Sequence, residues 1–448
     1  MSNTMSLIPT TTGRSVLRRT EMGLLIGAGL VLVWAMVILS MVRHIPSMAN
    51  VGLVVILLAM MLGGSLLFAR RLPHADQFLL PITCVLVGLG LVMIRRLKPS
   101  TQDVFTDYAL RQVAGIGIGF LLLIGVAFVS LNYRRLARYK YSLVILGLAL
   151  ILGTKVFGTD PYNEGYKRWF GFHGVYYQPV ELLKLLIVIF FAAYLDEKRE
   201  LLDRAYLRLG RLRLPPLPYI APLFAIWLLS LGFLLLQNDL GSALVFFGIF
   251  LIMVYSASRR IAYPVMGLIL IVIGGVIAYH FNVHVRARIV TWWNPWPYLH
   301  QSVPGTYTNS AQLVQGLIGL ANGGVIGTGL GQGSPGLIPV AISDFMFDAF
   351  GEELGLCGVM FIVMCYLIFA YRGLRIASLA RDGYDKFLAI GLTTAVVFQA
   401  VVIIGGNIRL LPIAGVTLPL MSYGPSSLLT NFIVVGMLLR ISADTTGG

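Results

Sequence analysis

Long apolar runs separated by short polar or basic stretches fill this chain from residue 22 almost to its end. A helix needs roughly 20 apolar residues to cross a bilayer. Runs with little or no charge occur at 22–42, 51–69, 77–94, 112–131, 141–157, 179–195, 217–236, 240–258, 261–279, 354–371, 387–408 and 424–439. They predict an all-α polytopic membrane protein of about 12 transmembrane helices. Two runs are weak: 141–157 is short, with Lys155 near its end, and 179–195 holds Glu181 and Lys184. The first run ends at His44, Ile45 and Pro46 with no small-residue cleavage site, so it reads as a retained helix. One interval breaks the rhythm. The loop 280–352 is about 70 residues long, a length that is uncommon without a function.

Composition supports the membrane class, and charge supports an orientation. Charged residues make up 12% of the chain, against about 25% in soluble proteins. Mean hydropathy is +0.83. Cys84, Cys357 and Cys365 lie in apolar runs, with no disulfide or metal-ligand spacing. Lys and Arg mark cytoplasmic loops. With the N-terminus inside, 22 of the 34 fall in inside segments and 11 outside. Both termini are therefore expected in the cytoplasm and the 280–352 loop on the extracellular side. The 95–111 loop dissents, placing four positive residues outside. The net charge of +15 fits topology and anionic membrane lipids, and no nucleic-acid partner is expected.

The long loop is rich in chemistry. Trp292, Trp293 and Trp296 read as an interfacial anchor, with Arg286 and Arg288 beside them as a basic pair for lipid headgroups or a pyrophosphate. Residues 313, 317, 320 and 321 are apolar, predicting an amphipathic helix that carries Gln312 and Gln315. A glycine-rich turn follows, holding Gly327, Gly329, Gly331 and Gly333; it lacks the dinucleotide-binding spacing and reads as a flexible turn. Then "SDFMFDAFGEELG" crowds Asp344, Asp348, Glu352 and Glu353 into ten residues of a chain with only 19 acids. Capping of the next helix accounts for Glu352 and Glu353 but poorly for Asp344. A carboxylate framed by aromatics is suited to act as a base. A solvated acidic helix face and a divalent-cation site are the other readings.

Ionisable residues inside membrane runs are functional candidates by default. Glu181 and Lys184, three residues apart after Gln178 and Pro179, are either a helix cap with its compensating ion pair or a substrate-facing pair. Asn238 and Asp239 open a run, where Asp239 fits an N-cap. Lys167 and Arg168 lie on the outer side, where they would meet phosphate. His280 and His284, four apart at a run's end, read as polar trim.

In order along the chain, "KRWFGFHGVYYQPVELLK", "QNDLGSALVFF", "WNPW" with "AQLVQGLIGLANGG", "GTGLGQG", "SDFMFDAFGEELG" and "LLPIAGVTLPLMSYGPSS" resemble the signature blocks of the SEDS family (shape, elongation, division and sporulation proteins). The form "GQGSPGLIPVAISDF" is similar to RodA-like members. The resemblance implies a SEDS-type ten-helix core over 77–440, preceded by a basic cytoplasmic tail at 1–21 and two extra transmembrane helices within 22–76, and followed by a cytoplasmic tail at 441–448. It implies a peptidoglycan glycosyltransferase of the bacterial cytoplasmic membrane that polymerises lipid II on the outer face, with a class B penicillin-binding protein as transpeptidase partner. It places the catalytic acid at Asp344. It maps substrate-binding positions onto Gln178, Glu181, Lys184, Asp239 and Ser422, to which Arg168, Arg286, Arg288 and Gln312 are added from the residues themselves. A divalent cation, Mg or Mn, would assist the leaving pyrophosphate. No organic cofactor and no resident metal ligands are expected.

Val180, Asn238 and Pro425 depart from the family's usual Ser, Pro and Gly. Pro425 suits a first helical position, but a second glycine for close backbone approach is missing there. Three other classes remain in play: a lipid II flippase, another membrane transporter, and a structural scaffold. The long loop occurs only once, without the counterpart an internal repeat would supply, which weighs against a transporter. The charged residues gather on the outer side, whereas a flippase needs a polar path through the full thickness.

Overall fold

The structure is a computed structural model that describes residues 18–44, 47–98, 107–128, 133–160, 167–172, 175–204, 207–209, 212–214, 217–304 and 310–446. Most of the predicted basic tail, and the middle of the 95–111 loop, lie outside the described residues. Every apolar run predicted above is helical over its described residues, apart from one or two at some ends. The helices are α1 (Arg19–Val42), α2 (Ser47–Arg71), α3 (Leu79–Leu97), α4 (Tyr108–Phe128), α5 (Tyr133–Leu136), α6 (Lys140–Phe157), α7 (Pro179–Arg204) and α8 (Leu217–Leu236). They continue with α9 (Leu240–Ser258), α10 (Ala262–Phe281), α11 (Val283–Trp293), α12 (Ala311–Gly323), α13 (Met346–Leu379), α14 (Gly383–Asn407) and α15 (Pro425–Thr446). Two short antiparallel hairpins flank α7: β1 (Phe170–Phe172) with β2 (Val175–Tyr177), and β3 (Leu207–Leu209) with β4 (Leu212–Leu214).

Among the described residues ten spans are long and apolar enough to cross a membrane, two fewer than expected. The missing two are α7 and α8. α7 is helical throughout but its charged C-terminal half dilutes its apolar run, and the described apolar part of α8 is short, Ala221–Leu236. The C-terminal tail expected from 441 instead continues α15 to Thr446.

The bundle has a centre and a rim. Some 89% of the span in α3 and 83% of that in α15 is buried, against 11% in α10. α14 packs on α7, α9 and α13, and α15 lies along α4. Inside such a bundle every polar group needs a partner, and buried arginine clusters stand toward two ends. At one end Arg18 pairs with Glu21 and donates to the Leu72 carbonyl (2.9 Å). At the other, Arg95 bonds Asn50 (2.6 Å) and Asp107 (2.8 Å), and Arg96 bonds Glu353 (2.6 Å) and the Gly333 carbonyl (2.7 Å). The 95–111 positives that seemed to dissent from the topology thus include two consumed by internal ion pairs. A third, Lys98, sits over the Tyr108 ring, 5.6 Å from its centroid.

Candidate functional site

The 280–352 interval is a folded insert rather than an open loop. α11 and α12 occupy much of it, and its last residues belong to α13. The buried face of α12 is Leu313, Val314, Gly316, Gly319 and Gly323; of the expected apolar set Leu313 is buried and Leu320 packs against Gly351, while Leu317 is half-buried and Ala321 is exposed. Small residues let helix backbones approach. A Cβ on Gly323 would stand 1.9 Å from the Gly351 carbonyl oxygen, so α12 lies directly against the start of α13.

That start is interrupted. Gly355 has φ +64° and ψ −165°, which breaks the helix after Leu354 and strips backbone groups of their helical partners. The glycine-rich turn supplies replacements. Thr328 N donates to Glu352 O (3.0 Å) and Gly329 N to Glu353 O (2.9 Å), while Leu356 N and Cys357 N donate to Gly324 O (2.9 Å) and Val325 O (3.1 Å). Gly327, Gly329 and Gly331 all hold positive φ, the conformation glycine adopts without penalty. The turn is therefore a fixed hydrogen-bonding partner of the kink, where the sequence suggested a flexible one.

The acids divide by environment. Glu352 accepts from Ser334 N (2.8 Å), and Glu353 accepts from Gly331 N (2.9 Å) and Arg96. They hold the turn, in place of the predicted capping role. Asp348 is wholly buried beside Gly316 and Phe345, and neither of its oxygens meets a hydrogen-bond donor. Burying such a group without a partner costs stability, and nothing nearby compensates. Asp344 precedes α13, in a non-helical segment, and is half-buried.

Three successive carbonyls carry that segment. Ile342 O accepts from Tyr423 N (2.9 Å), Ser343 O from Ser422 Oγ, and Asp344 O from Asn407 Nδ2 (3.0 Å). Ser422 is fixed in turn by Leu418 N (3.1 Å). The connection between α14 and α15 is thus a clamp on the Asp344 backbone. Val340, Arg409 and Leu420, which adjoin the clamp, hold positive φ. Such conformations persist where the surroundings over-determine them. Arg288 donates to Ile413 O (3.1 Å) and Ala414 O (2.9 Å) on the same connection. A Cβ at Gly415 would stand 3.5 Å from Arg288 Nη2 and 3.8 Å from Asp344 Oδ2, so guanidinium and carboxylate converge on one glycine. An acceptor, a cation and a backbone able to admit a ligand closely are brought together there.

A second cluster lies on the other side of this connection. Lys184 is buried and donates to Glu181 (2.7 Å) and Gln399 (2.6 Å), and Gln399 donates to Thr417 O (2.8 Å). Asp239 caps α9 through Ser242 N (3.0 Å) and accepts from Gln178 Nε2 (3.5 Å). Gln178 N donates to Ser426 Oγ (2.8 Å), next to Pro425, the first residue of α15. Burial, and then the Glu181 charge, push the Tyr177 phenol up. A small cavity lined by Glu181, Lys184, Ser242 and Gln399 opens here. Arg168 donates to Gln237 O (3.0 Å) and stacks near Trp169. Arg286 is exposed and Gln312 half-buried.

Asn407, Gln399 and Arg96 escaped the sequence reading. Their only signal was a polar residue within or ending an apolar run. Asn407→Leu should leave the Asp344 carbonyl unpaired, costing about 1–3 kcal/mol. The expected outcome is a drop in kcat at nearly constant KM in whatever reaction Asp344 serves, and an unchanged kcat would remove Asn407 from the site.

The FtsW/RodA/SpoVE cell cycle protein family matches residues 77–447. The chain belongs to that family. It is 40% identical over 376 residues to the peptidoglycan glycosyltransferase RodA of Mycobacterium leprae, covering 83% of this chain and 79% of that one. It is 33% identical over 384 residues to the probable peptidoglycan glycosyltransferase FtsW of Geobacter metallireducens (84% and 97% covered). It is 30% identical over 378 residues to the stage V sporulation protein E of Bacillus subtilis (82% and 96% covered). Identity is higher to RodA than to the FtsW or sporulation relatives, which supports the RodA-like subtype. Among solved structures it resembles a chain of a peptidoglycan synthase complex (TM-score 0.66, 25% identity, 84% and 99% covered). It also resembles RodA of Thermus thermophilus (TM-score 0.58, 25% identity, 83% and 97% covered). The family match begins after α2, so α1 and α2 lie outside it.

Proposed function

We propose that this chain is a peptidoglycan glycosyltransferase that extends glycan strands from lipid II at the outer face of the cytoplasmic membrane. The observation that carries the reading is the convergence of Asp344 and Arg288 on Gly415, with the Asp344 backbone clamped on three carbonyls. The acceptor is the sugar 4-hydroxyl of lipid II. Its oxygen attacks C1 of the growing strand, the bond from C1 to the polyprenyl pyrophosphate breaks, and Asp344 takes the hydroxyl proton. One displacement inverts C1 and needs no second carboxylate as nucleophile. Arg288, with Arg286 and Arg168, supplies positive charge to the departing pyrophosphate. Ser422 orders the site through the Ser343 carbonyl, and Gln312 on α12 is a further candidate for substrate contact. Glu181, Lys184, Gln178 and Asp239 hold the α14–α15 connection from its other side.

The outer-face assignment rests on the excess of Lys and Arg in the opposite loops. It also rests on α1: with the N-terminus inside, the Leu39–Val42 end is outermost, and it touches Gly331 of the turn leading to Asp344. The likeness to a synthase complex that couples polymerisation to crosslinking supports a class B penicillin-binding protein as partner. Among the described residues no group of three or more His, Cys, Asp and Glu converges to hold a metal ion. No step above is routed through a cation; Mg or Mn would assist by neutralising the leaving pyrophosphate.

The test is polymerisation of labelled lipid II by the purified protein in liposomes, with and without a cognate penicillin-binding protein and Mg²⁺ or Mn²⁺. Glycan chains support the reading. Lipid II scrambling without any chains would replace it with the flippase.

A further inference from the structure

We propose that the helix pair α1–α2, outside the family-matched part of the chain, is a built-in positioning device for the segment that carries Asp344, with Asn50 as its coupling residue. The inference rests on the reading of Asp344 as the acid of the reaction. Two contacts join the pair to that segment. The first is apolar: Val42 and Leu39 fill the space beside Gly331, 3.1 and 3.4 Å from where a Cβ would stand. Gly331 N in turn donates to Glu353 (2.9 Å), so the outer end of α1 presses on the turn that satisfies the α13 kink.

The second contact is a buried polar chain. Asn50, 1% exposed, donates to Ser40 Oγ of α1 (3.3 Å) and accepts from Arg95 Nε of α3 (2.6 Å). Arg95 also bonds Asp107 (2.8 Å), whose other oxygen accepts from Ala109 N (2.9 Å) and Leu110 N (3.1 Å) at the start of α4. The next residue, Arg96, grips Glu353 and the Gly333 carbonyl. The angle at which α1–α2 lies on α3 is therefore linked, through adjacent arginines, to the turn and to α13.

A lipid-facing helix pair needs no polar anchor to remain in a bilayer. Apolar packing already seats it: a Cβ on Gly88 of α3 would stand 2.2 Å from Leu32 of α1. Buried polar groups are costly in a membrane unless each is satisfied. Their best-attested use is to fix register. Here they fix the rotation of α2 against the helix whose end holds the acid-bearing turn.

The experiment compares the full-length parent with Asn50→Ala and Asn50→Asp in nanodiscs. It measures kcat and KM for lipid II polymerisation, and amide hydrogen exchange over residues 327–345 with α14 as internal reference. Asn50→Ala should lower kcat roughly 3- to 10-fold with little change in KM, because only part of the lost hydrogen-bond energy reaches the Asp344 segment. It should also speed exchange in 327–345 while leaving α14 protected. Asn50→Asp, whose carboxylate still accepts from Arg95, should restore both. Unchanged exchange in that segment, unchanged kcat, exchange rising equally in α14, or no recovery with Asp would each overturn the proposal. If the parent itself makes no glycan, the catalytic reading fails instead, and the exchange comparison alone decides whether α1–α2 positions the segment.

Discussion

Asp344→Asn should fold as the parent does and lose glycan polymerisation by about 10²–10⁴-fold, the usual contribution of a positioned proton acceptor. The amide has the shape of the carboxylate but cannot take the acceptor's proton. Its fold should survive because the segment is held by its backbone: the bonds from Tyr423, Ser422 and Asn407 go to carbonyl oxygens of residues 342–344. An interaction made only as the proton moves should appear in kcat, with KM for lipid II nearly constant. Asp344→Glu is the sharper companion. It keeps the acid but displaces it by a methylene, and misplacement by about 1 Å can cost about 10²-fold. The measurement is chain formation from labelled lipid II beside a thermal unfolding curve. Chains at the parental rate from a folded Asp344→Asn protein would remove the residue from the chemistry and leave Arg288 and the clamp without a reaction to serve.

The helices were legible because a membrane imposes a strong rule on composition. Apolar length alone located every helix from α1 to α10 that reaches span length, and Pro425 was placed correctly at the start of α15. Chemistry was legible where one residue type fits one local role, as with Asp239 capping α9. What was not legible is tertiary. The face of α12 was only partly legible: Leu313 and Leu320 pack inward as apolar periodicity indicates, but the close approach through Gly316, Gly319 and Gly323 leaves no apolar signal. The kink at Gly355 gave no sign, since one glycine in "EELGLCG" is compatible with a continuous helix. Asn407 lies 63 residues from the carbonyl it bonds, a pairing that no local pattern encodes. The acids of "SDFMFDAFGEELG" were visible as a crowd, but their separate roles depend on what packs against each one. Asp344 faces the α14–α15 connection and Arg288, Glu352 and Glu353 face the glycine turn, and Asp348 faces α12.

Glu353 is where those contacts meet, and Glu353→Leu should destabilise the protein by about 3–5 kcal/mol. The carboxylate side chain is fully buried, and Arg96 beside it is 7% exposed. Removing the acid leaves the guanidinium without its counter-ion and Gly331 N without an acceptor. The size of the loss would reflect that stranded charge, not a large net contribution from the pair, because a buried ion pair gives up in desolvation much of what it gains in attraction. Arg96→Met combined with Glu353→Leu should therefore recover the part of the loss that came from the stranded charge, with a coupling energy well outside additivity. The two single variants and the double, unfolded by heat or denaturant in one detergent, measure it. A double variant as unstable as the sum of the singles would place the loss elsewhere. Activity separates stability from specification. In the double variant the apolar pair can fill the volume, but it cannot bond Gly331 N or the Gly333 carbonyl, so the turn loses its fixed pose. A protein that regains its unfolding temperature while polymerisation stays depressed would show that Arg96 and Glu353 are retained for the geometry they impose on the Asp344 segment.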